Sequence, residues 1–197
     1  MRYLYLLALT VLTAALVCSL FPTTAEAALY DDVLRLHVIA ASDSESDQAA
    51  KLAARDALLT VTAPLLADCT SRDEAAVRLA AAAPLLEQTA AEAAGCPAAV
   101  LLGEERYPTR TYASAALPAG EYLSLRVVLG EGEGQNWWCV LFPPLCLSAA
   151  TETEQVCIEA GLSPEAYRII TDGQAGGKVR WRMKFRLLEL FEEIFPG

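Results

Sequence analysis

The sequence is short of the side chains on which hydrolases and metalloenzymes usually depend. His37 is the only histidine among the 197 residues, so a Ser-His or Cys-His hydrolase would have to use it as its base. No serine lies in a G-x-S-x-G motif, and no two cysteines are as close as the C-x-x-C pairs of zinc sites. The residues therefore predict no catalytic site, no metal and no cofactor. A hydrolase of peptide or cell-wall substrate that uses His37 with Cys139 as nucleophile is the alternative that remains open.

Basic residues are also scarce. The chain has 15 Lys and Arg against 25 Asp and Glu, for a net charge of −10. Nucleic-acid binding requires a basic footprint for the phosphates, so we expect no nucleic-acid partner. At 54% apolar and 20% charged residues the chain is not disordered, and its length fits a single domain with a real core.

A long hydrophobic run occurs at the N-terminus. Arg2 precedes an uncharged apolar stretch over residues 3–20, and Ala25-Glu26-Ala27 has the small-x-small pattern of a cleavage site. We predict that residues 1–27 are a signal peptide that is cut after Ala27. The apolar run is also close to the length of a spanning helix, so an uncleaved anchor is the alternative. Membrane contact is expected only through this segment, and only if it is retained.

Cutting at Ala27 leaves an odd number of cysteines, which are Cys69, Cys96, Cys139, Cys146 and Cys157. At least one thiol then has no partner within the chain. Cys139 and Cys146 are the plausible local pair, because Pro143 and Pro144 could fold the chain back between them. The alternative is that all five are small buried hydrophobic side chains.

Residues 28–150 are expected to form an α+β core, whose first half reads as one strand and two helices. Residues 34–39 suit a buried strand, and Ser44 suits the cap of a helix over residues 47–66, with a stripe that includes Leu52, Leu59 and Leu66 and a kink or end at Pro64. Ser71 is expected to cap a second helix over residues 72–94 that is interrupted at Pro84 and ended by Gly95.

Asp56 lies beside the predicted stripe of the first helix. A carboxylate near a buried face needs a partner, and His37 or Arg55 could supply one. The alternative is that Arg55 and Asp56 lie on a solvated edge.

The second half changes to a period of two. Short strands are predicted over residues 98–102 and 107–112, with a turn at 103–105. Residues 122–129 give the strongest strand pattern, and residues 137–142 are predicted to return as its hairpin partner across a glycine-rich loop. Trp137 and Trp138 are adjacent on that strand, so their side chains should point to opposite faces. One of them is then either an exposed anchor for a partner or is covered by a second layer.

The end of the chain completes the predicted domain. Residues 151–177 read as a variable connection with a possible short helix at 153–160, and residues 178–197 as a terminal strand and helix. In residues 179–187 apolar side chains alternate with Arg or Lys. That basic face is either neutralised by the domain's own carboxylates or offered to an acidic partner or lipid. The fold expected is a single α+β domain with a mixed or antiparallel sheet from the second half and C-terminus, covered by two N-terminal helices and a short C-terminal helix.

Several sequence blocks also match a known family. They are LRLHVIAASDS at 34–44, Asp47-Gln48, RDA at 55–57, YPT at 107–109, PAGEY at 118–122 and GEGEGQNWWCVLFPPLC at 130–146, with Lys184, Phe185 and Glu189 near the end. On these blocks the chain resembles the stage II sporulation protein R family of endospore-forming Firmicutes. It departs from the family's pattern at Ala41, Ala113 and Leu147, where Asn, Gly and Phe are expected.

The resemblance implies a signalling protein that is made in the forespore and exported into the space between the two sporulation membranes. There it would trigger a membrane-embedded aspartic protease of the mother cell to cleave the pro-sequence of pro-sigma-E. On that reading the protein is not an enzyme. The expected contact residues are Trp137, Trp138, Asn136, Pro143, Pro144, Ser42, Asp43, Ser44 and Asp47. His37, Arg55 and Asp56 are expected to be structural.

Overall fold

The fold is α+β, with three of the helices packed on one face of a four-stranded mixed sheet. The computed structural model describes residues 2–18, 24–111 and 116–143. The helices are α1 (Arg2–Cys18), α2 (Thr24–Asp32), α3 (Glu45–Leu66), α4 (Arg72–Ala81) and α5 (Ala83–Ala94); the strands are β1 (Leu34–Ile39), β2 (Ala98–Tyr107), β3 (Arg110–Thr111), β4 (Ala116–Leu117), β5 (Gly120–Leu129) and β6 (Asn136–Phe142). The predicted terminal strand and helix of residues 178–197, and the possible helix at 153–160, lie outside the described residues.

Local capping signals define the helix ends. The side chain of Ser44 accepts a hydrogen bond from the N–H of Asp47 at the start of α3, and Ser71 does the same for Glu74 at the start of α4. Pro84 lies at the start of α5 rather than inside a longer helix, and Gly95 ends α5 in the left-handed conformation. These features confirm the predicted caps and the break between α4 and α5. Pro64, in contrast, lies inside the last turn of α3 and does not end it before Leu66.

The apolar stripe predicted for α3 is wrong by about one position. The buried side chains are Lys51, Ala54, Leu58, Thr62 and Leu66, whereas Leu52 is 40% exposed. Leu59 and Leu66 do contact the core. The inward face of α3 is set by its packing on α5 and β1, and that packing places Lys51 inward although its side chain is charged.

The sheet has the strand order β2-β5-β1-β6. β1 pairs in parallel with β5 and antiparallel with β6, and β5 pairs antiparallel with β2. The predicted hairpin between residues 122–129 and 137–142 is therefore wrong, because β1 lies between the two strands. The 130–135 loop crosses the end of β1 and bonds to the chain that follows it, instead of closing a tight turn.

β2 is longer than predicted. The expected turn at Gly103, Glu104 and Glu105 is absent, and all ten residues of the strand pair in unbroken register with β5. Pairing with a long central strand has overridden the local turn signal. The short strands β3 and β4 form a separate two-stranded sheet.

The two faces of the main sheet differ in chemistry. Alternate residues of β1 and β5, such as Leu36 and Leu125, face the helices and join the main hydrophobic core with Leu58, Leu79 and Leu86. The other alternate residues of β1 are Arg35, His37 and Ile39, of which Arg35 and His37 are buried. One face of the sheet is thus apolar, and the other is polar and aromatic.

Candidate interaction site

Two loops meet at the end of the sheet where β1 and β5 finish. We define the loop junction as residues 40–48, which connect β1 to α3 and include the first turn of α3, and residues 130–136, which end with the first residue of β6. The N–H of Gln135 donates to the Asp43 carboxylate at 2.7 Å, and the N–H groups of Gly134 and Glu133 donate to the carbonyls of Ala40 and Ala41 at 2.9 and 3.2 Å. Two blocks that are distant in sequence therefore form one surface.

The glycines of the second loop make this close approach possible. A Cβ atom on Gly134 would collide with the backbone carbonyl of Ser42, and one on Gly130 would lie 2.8 Å from the Cβ of Ala41. Gly130 also has a positive φ of 53°, a conformation that is strained for other residues. The G-x-G-x-G spacing thus serves chain packing, which agrees with the absence of the basic residues and following helix of a phosphate-binding loop.

The buried side chain of Lys51 hydrogen-bonds to both segments of the loop junction. Its Nζ donates to the carbonyl of Gln135 at 3.0 Å and to Oε1 of Gln48 at 2.6 Å. Burial lowers the pKa of the Lys51 ammonium, an effect that the nearby Asp43 carboxylate opposes. Ser42 donates to the Asp47 carboxylate on the same turn. The side chains of Asp43 and Asp47 are therefore already engaged in organising the loop.

His37 links the junction to the polar face of the sheet. Its Nδ1 lies 2.8 Å from Oε1 of Glu105 on β2, and its Nε2 lies 2.9 Å from Oδ1 of Asn136 at the start of β6. The ring also stacks on Trp138, with centroids 5.4 Å apart. Arg110 completes the stack, with its guanidinium carbon 3.7 Å from the centre of the Trp138 ring.

The two tryptophans lie on opposite faces of β6, as predicted, and each ring contacts an arginine. Trp137 packs against the helix-facing core, with the guanidinium carbon of Arg55 at 5.0 Å from its ring centre. Trp138 lies on the polar face between His37 and Arg110, and both tryptophans are half-buried. The role of either tryptophan as an anchor for a partner stays a prediction.

Arg55 and Asp56 form an exposed ion pair. Nη2 of Arg55 lies 2.7 Å from Oδ1 of Asp56, whose side chain is 64% exposed. The solvated-edge alternative is therefore correct for Asp56, and His37 is not its partner. An exposed pair of this kind contributes little to stability.

Cys139 and His37 do not form a catalytic pair. Cys139 lies opposite Leu36 in the ladder and His37 lies opposite Trp138, so their side chains point to opposite faces of the sheet. Cys139 is also disulfide-bonded and is not a free nucleophile. Pro143 is buried after a cis peptide bond. Pro144 and Cys146 lie outside the described residues, so the proposed Cys139–Cys146 pair stays a prediction.

The sequence reasoning missed a buried cluster on the polar face. Arg35 is fully buried, with its guanidinium carbon 3.9 Å from the ring centre of Tyr107 and 5.0 Å from that of Tyr122. The hydroxyls of Tyr107 and Ser124 lie 2.6 Å apart. One signal was available, because Arg35 and His37 occupy alternate positions of a strand that is otherwise apolar.

Two negative findings apply to residues 2–18, 24–111 and 116–143. Within them, no group of three or more His, Cys, Asp or Glu side chains is placed to hold a metal ion. In the same residues, no helix combines the length and the apolar character needed to cross a membrane.

Comparison with known proteins identifies the family. The family model for stage II sporulation protein R matches residues 30–152. The chain is 36% identical over 131 residues to the stage II sporulation protein R of Bacillus subtilis (strain 168), an alignment that covers 64% of this chain and 58% of that protein. The chain thus matches less than two thirds of the length of this relative. No solved structure matches it. Because the family model covers more than half of the sequence, the chain belongs to the stage II sporulation protein R family.

Proposed function

We propose that this protein is an exported, non-enzymatic signal of endospore formation that activates a membrane-embedded aspartic protease. The protease would then remove the pro-sequence of pro-sigma-E. The family supports a role in sporulation. The signal-like segment of residues 1–27 supports export from the forespore into the intermembrane space.

The observation that carries the proposed contact is the meeting of two family blocks at the loop junction. The SDS block at 42–44 and the GEGEGQN block at 130–136 are joined by the 2.7 Å bond from the N–H of Gln135 to Asp43. Ser44, Gln135 and Asn136 are exposed there. A rigid loop pair that is held by backbone bonds and a buried lysine presents these side chains with little entropy left to lose on binding.

The proposed roles of the contact residues change accordingly. Trp137 and Trp138 pack on the two opposite faces of β6. The exposed Asn136 is positioned by its contact with the buried His37. We propose that the exposed loops make the contact and that the tryptophans and His37 position them. Pro143 is buried, so it is not part of the proposed contact surface.

Activation would proceed by population shift. A binding protein raises the activity of an enzyme only if it binds the active state more tightly than the inactive one. A preference of about 1.4 kcal/mol for the active state changes the ratio of the two states tenfold. Such a preference is within reach of a small polar contact surface.

The experiment reverses charge on the exposed loop while leaving its backbone bonds in place. Glu131 and Glu133 are exposed, and no side-chain bond within the described residues involves them. The double variant Glu131→Arg and Glu133→Arg should keep the wild-type circular dichroism spectrum. In sporulating cells that carry this variant, mature sigma-E should appear at least about tenfold more slowly, as expected when a contact worth about 1.4 kcal/mol is lost.

The matched control makes the same change on a helix that is not part of the loop junction. Glu87 and Glu92 on α5 are also exposed, and the double variant Glu87→Arg and Glu92→Arg should process pro-sigma-E normally. Normal processing by the folded junction variant would show that the protease does not use this surface.

A further inference from the structure

In the part of the chain that the structure describes, the outer edge of β2 is free for strand pairing. β2 is the outermost strand of the main sheet, and within residues 2–18, 24–111 and 116–143 no strand pairs with its outer side. The N–H of Gly130 donates to the carbonyl of Pro97 at 2.8 Å, in line with the register that pairs Ala98 with Leu129. Because alternate residues of an antiparallel strand bond to the same neighbour, the odd-numbered residues of β2 bond to β5. The even-numbered residues direct their N–H and C=O groups outward.

Half of this edge has none of the usual protection against pairing. Natural edge strands are guarded by charges, prolines or bulges. β2 has charges at Glu104, Glu105 and Arg106, but residues 98–102 contain neither charge nor proline, and the pairing with β5 has no bulge. Leu101 is 47% exposed. An unguarded, unbulged strand of this kind is a template for another strand.

The strand is complementary to itself. A Cβ atom on Gly103 would meet nothing within 4 Å, so there is open space beside Gly103 on the face that carries Leu101. We propose that two copies of the chain associate by antiparallel pairing of their β2 strands, with Leu102 on the two-fold axis. Leu101 of each copy then covers Gly103 of the other.

The charges agree with this register. Val100 faces Glu104 of the other copy, Ala98 faces Arg106, and Ala99 faces Glu105, so no two like charges are directly opposite. The contact is isologous, as in most homodimers, and about ten backbone hydrogen bonds join the two four-stranded sheets. This proposal does not depend on the proposed function.

The test measures the mass of the full chain in a nonionic detergent by sedimentation equilibrium. The wild type should pass from monomer to dimer as its concentration rises. Glu104→Pro removes an N–H that points outward, which an edge strand tolerates within one copy. It should weaken dimerisation by about tenfold or more, because two bonds are lost by symmetry and the ring blocks approach.

A second variant tests the side-chain contact. In Leu101→Glu, the new carboxylate lies opposite Arg126 of β5 in its own copy. That pairing of opposite charges favours the folded sheet. In the dimer the new carboxylate would approach its own symmetry mate and Glu105 of the other copy, so dimerisation should weaken by a similar factor. Leu52→Glu is the matched control, because Leu52 is 40% exposed on α3; it should dimerise as the wild type does.

Cross-linking tests the register. Two Cα atoms at position 102 would lie about 5.5 Å apart across the axis, within the range of a disulfide. Leu102→Cys should therefore form a covalent dimer on mild oxidation, and Leu52→Cys should not. A wild type that stays monomeric at every concentration would overturn the proposal. So would folded Glu104→Pro and Leu101→Glu variants that dimerise like the wild type, or a Leu102→Cys variant that does not cross-link.

Discussion

At the scale of single residues, the fully buried Arg35 organises the polar face of the sheet. Its guanidinium lies against the rings of Tyr107 and Tyr122, which contact each other edge to face with centroids 5.8 Å apart. Tyr30 of α2 contacts Tyr122 in the same manner at 4.9 Å. Burying a cation is costly unless its surroundings compensate, and electron-rich ring faces are one such compensation.

Truncation of Arg35 should therefore destabilise the fold strongly. Arg35→Ala removes the cation–π contacts and leaves a cavity, so we expect the free energy of unfolding to fall by about 3 kcal/mol. Urea unfolding measures this value. Arg126→Ala, at an exposed position on β5, should change it by less than about 0.5 kcal/mol. Similar effects from the two variants would show that the buried cation has no special role.

Tyr107 should make the fold sensitive to alkaline pH. Burial raises the pKa of the Tyr107 phenol, and the hydrogen bond with Ser124 only partly opposes this. The folded state keeps a proton that the unfolded state releases above pH 10, the ordinary pKa. The stability linked to this proton is thus complete below pH 10 and is lost as pH rises above it.

The comparison with phenylalanine isolates this effect. Tyr107→Phe has no phenol to ionise, so its free energy of unfolding should fall less steeply above pH 10. At neutral pH the variant should be about 1 kcal/mol less stable, because the hydroxyl of Ser124 loses a partner. Tyr3→Phe, at a position 85% exposed, should match the wild type. Parallel curves for wild type and Tyr107→Phe would contradict the assignment.

At the scale of elements, the sequence predicted the features that depend on neighbouring residues. Ser44, Ser71 and Gly95 mark helix ends through contacts within four residues of themselves, and the alternation in residues 122–129 marks a strand whatever its neighbours. Such signals can be read without knowledge of the fold.

The elements that the sequence placed wrongly depend on distant partners. β5 and β6 look like a hairpin because a glycine-rich loop joins them, yet β1 pairs with both. The burial of Lys51 on α3 depends on the carbonyl of Gln135, which is 84 residues away. The meeting of Asp43 with Gln135 spans 92 residues. Local periodicity carries no information on these pairings. The sequence therefore identified both segments of the candidate site but did not predict that they contact each other.

The packing of the loop junction predicts that Gly134 cannot be enlarged. Gly134→Ala would push a methyl group into the carbonyl of Ser42, so the loops must separate and the free energy of unfolding should fall by about 2 kcal/mol. Hydrogen exchange should also show faster exchange at the amides of Gly134 and Gln135. Gly103→Ala is the control, because its methyl group meets open space. Equal stability of the two variants would mean that the loops tolerate separation.

At the scale of the whole molecule, the N-terminal boundary of the domain bears on how the protein is processed. Leu29 is fully buried, and the hydroxyl of Tyr30 donates to the carbonyl of Ala119 at 3.0 Å. Arg72 of α4 donates to the carbonyl of Tyr30, also at 3.0 Å. The folded domain thus begins by residue 29, and the proposed cut after Ala27 would leave these contacts intact.

Two shortened chains test this boundary. A chain that begins at Ala28 keeps Leu29 and Tyr30 and should unfold at the same urea concentration as the domain in the full protein. A chain that begins at Asp31 loses both side chains. Full burial of one large apolar side chain contributes about 1.5 to 3 kcal/mol, so this chain should be less stable by about 3 kcal/mol or more. Equal stability would place the boundary after residue 30. N-terminal sequencing of the protein recovered from sporulating cells then decides between the two processing routes: Ala28 as the first residue supports the signal peptide, and an intact N-terminus supports the anchor.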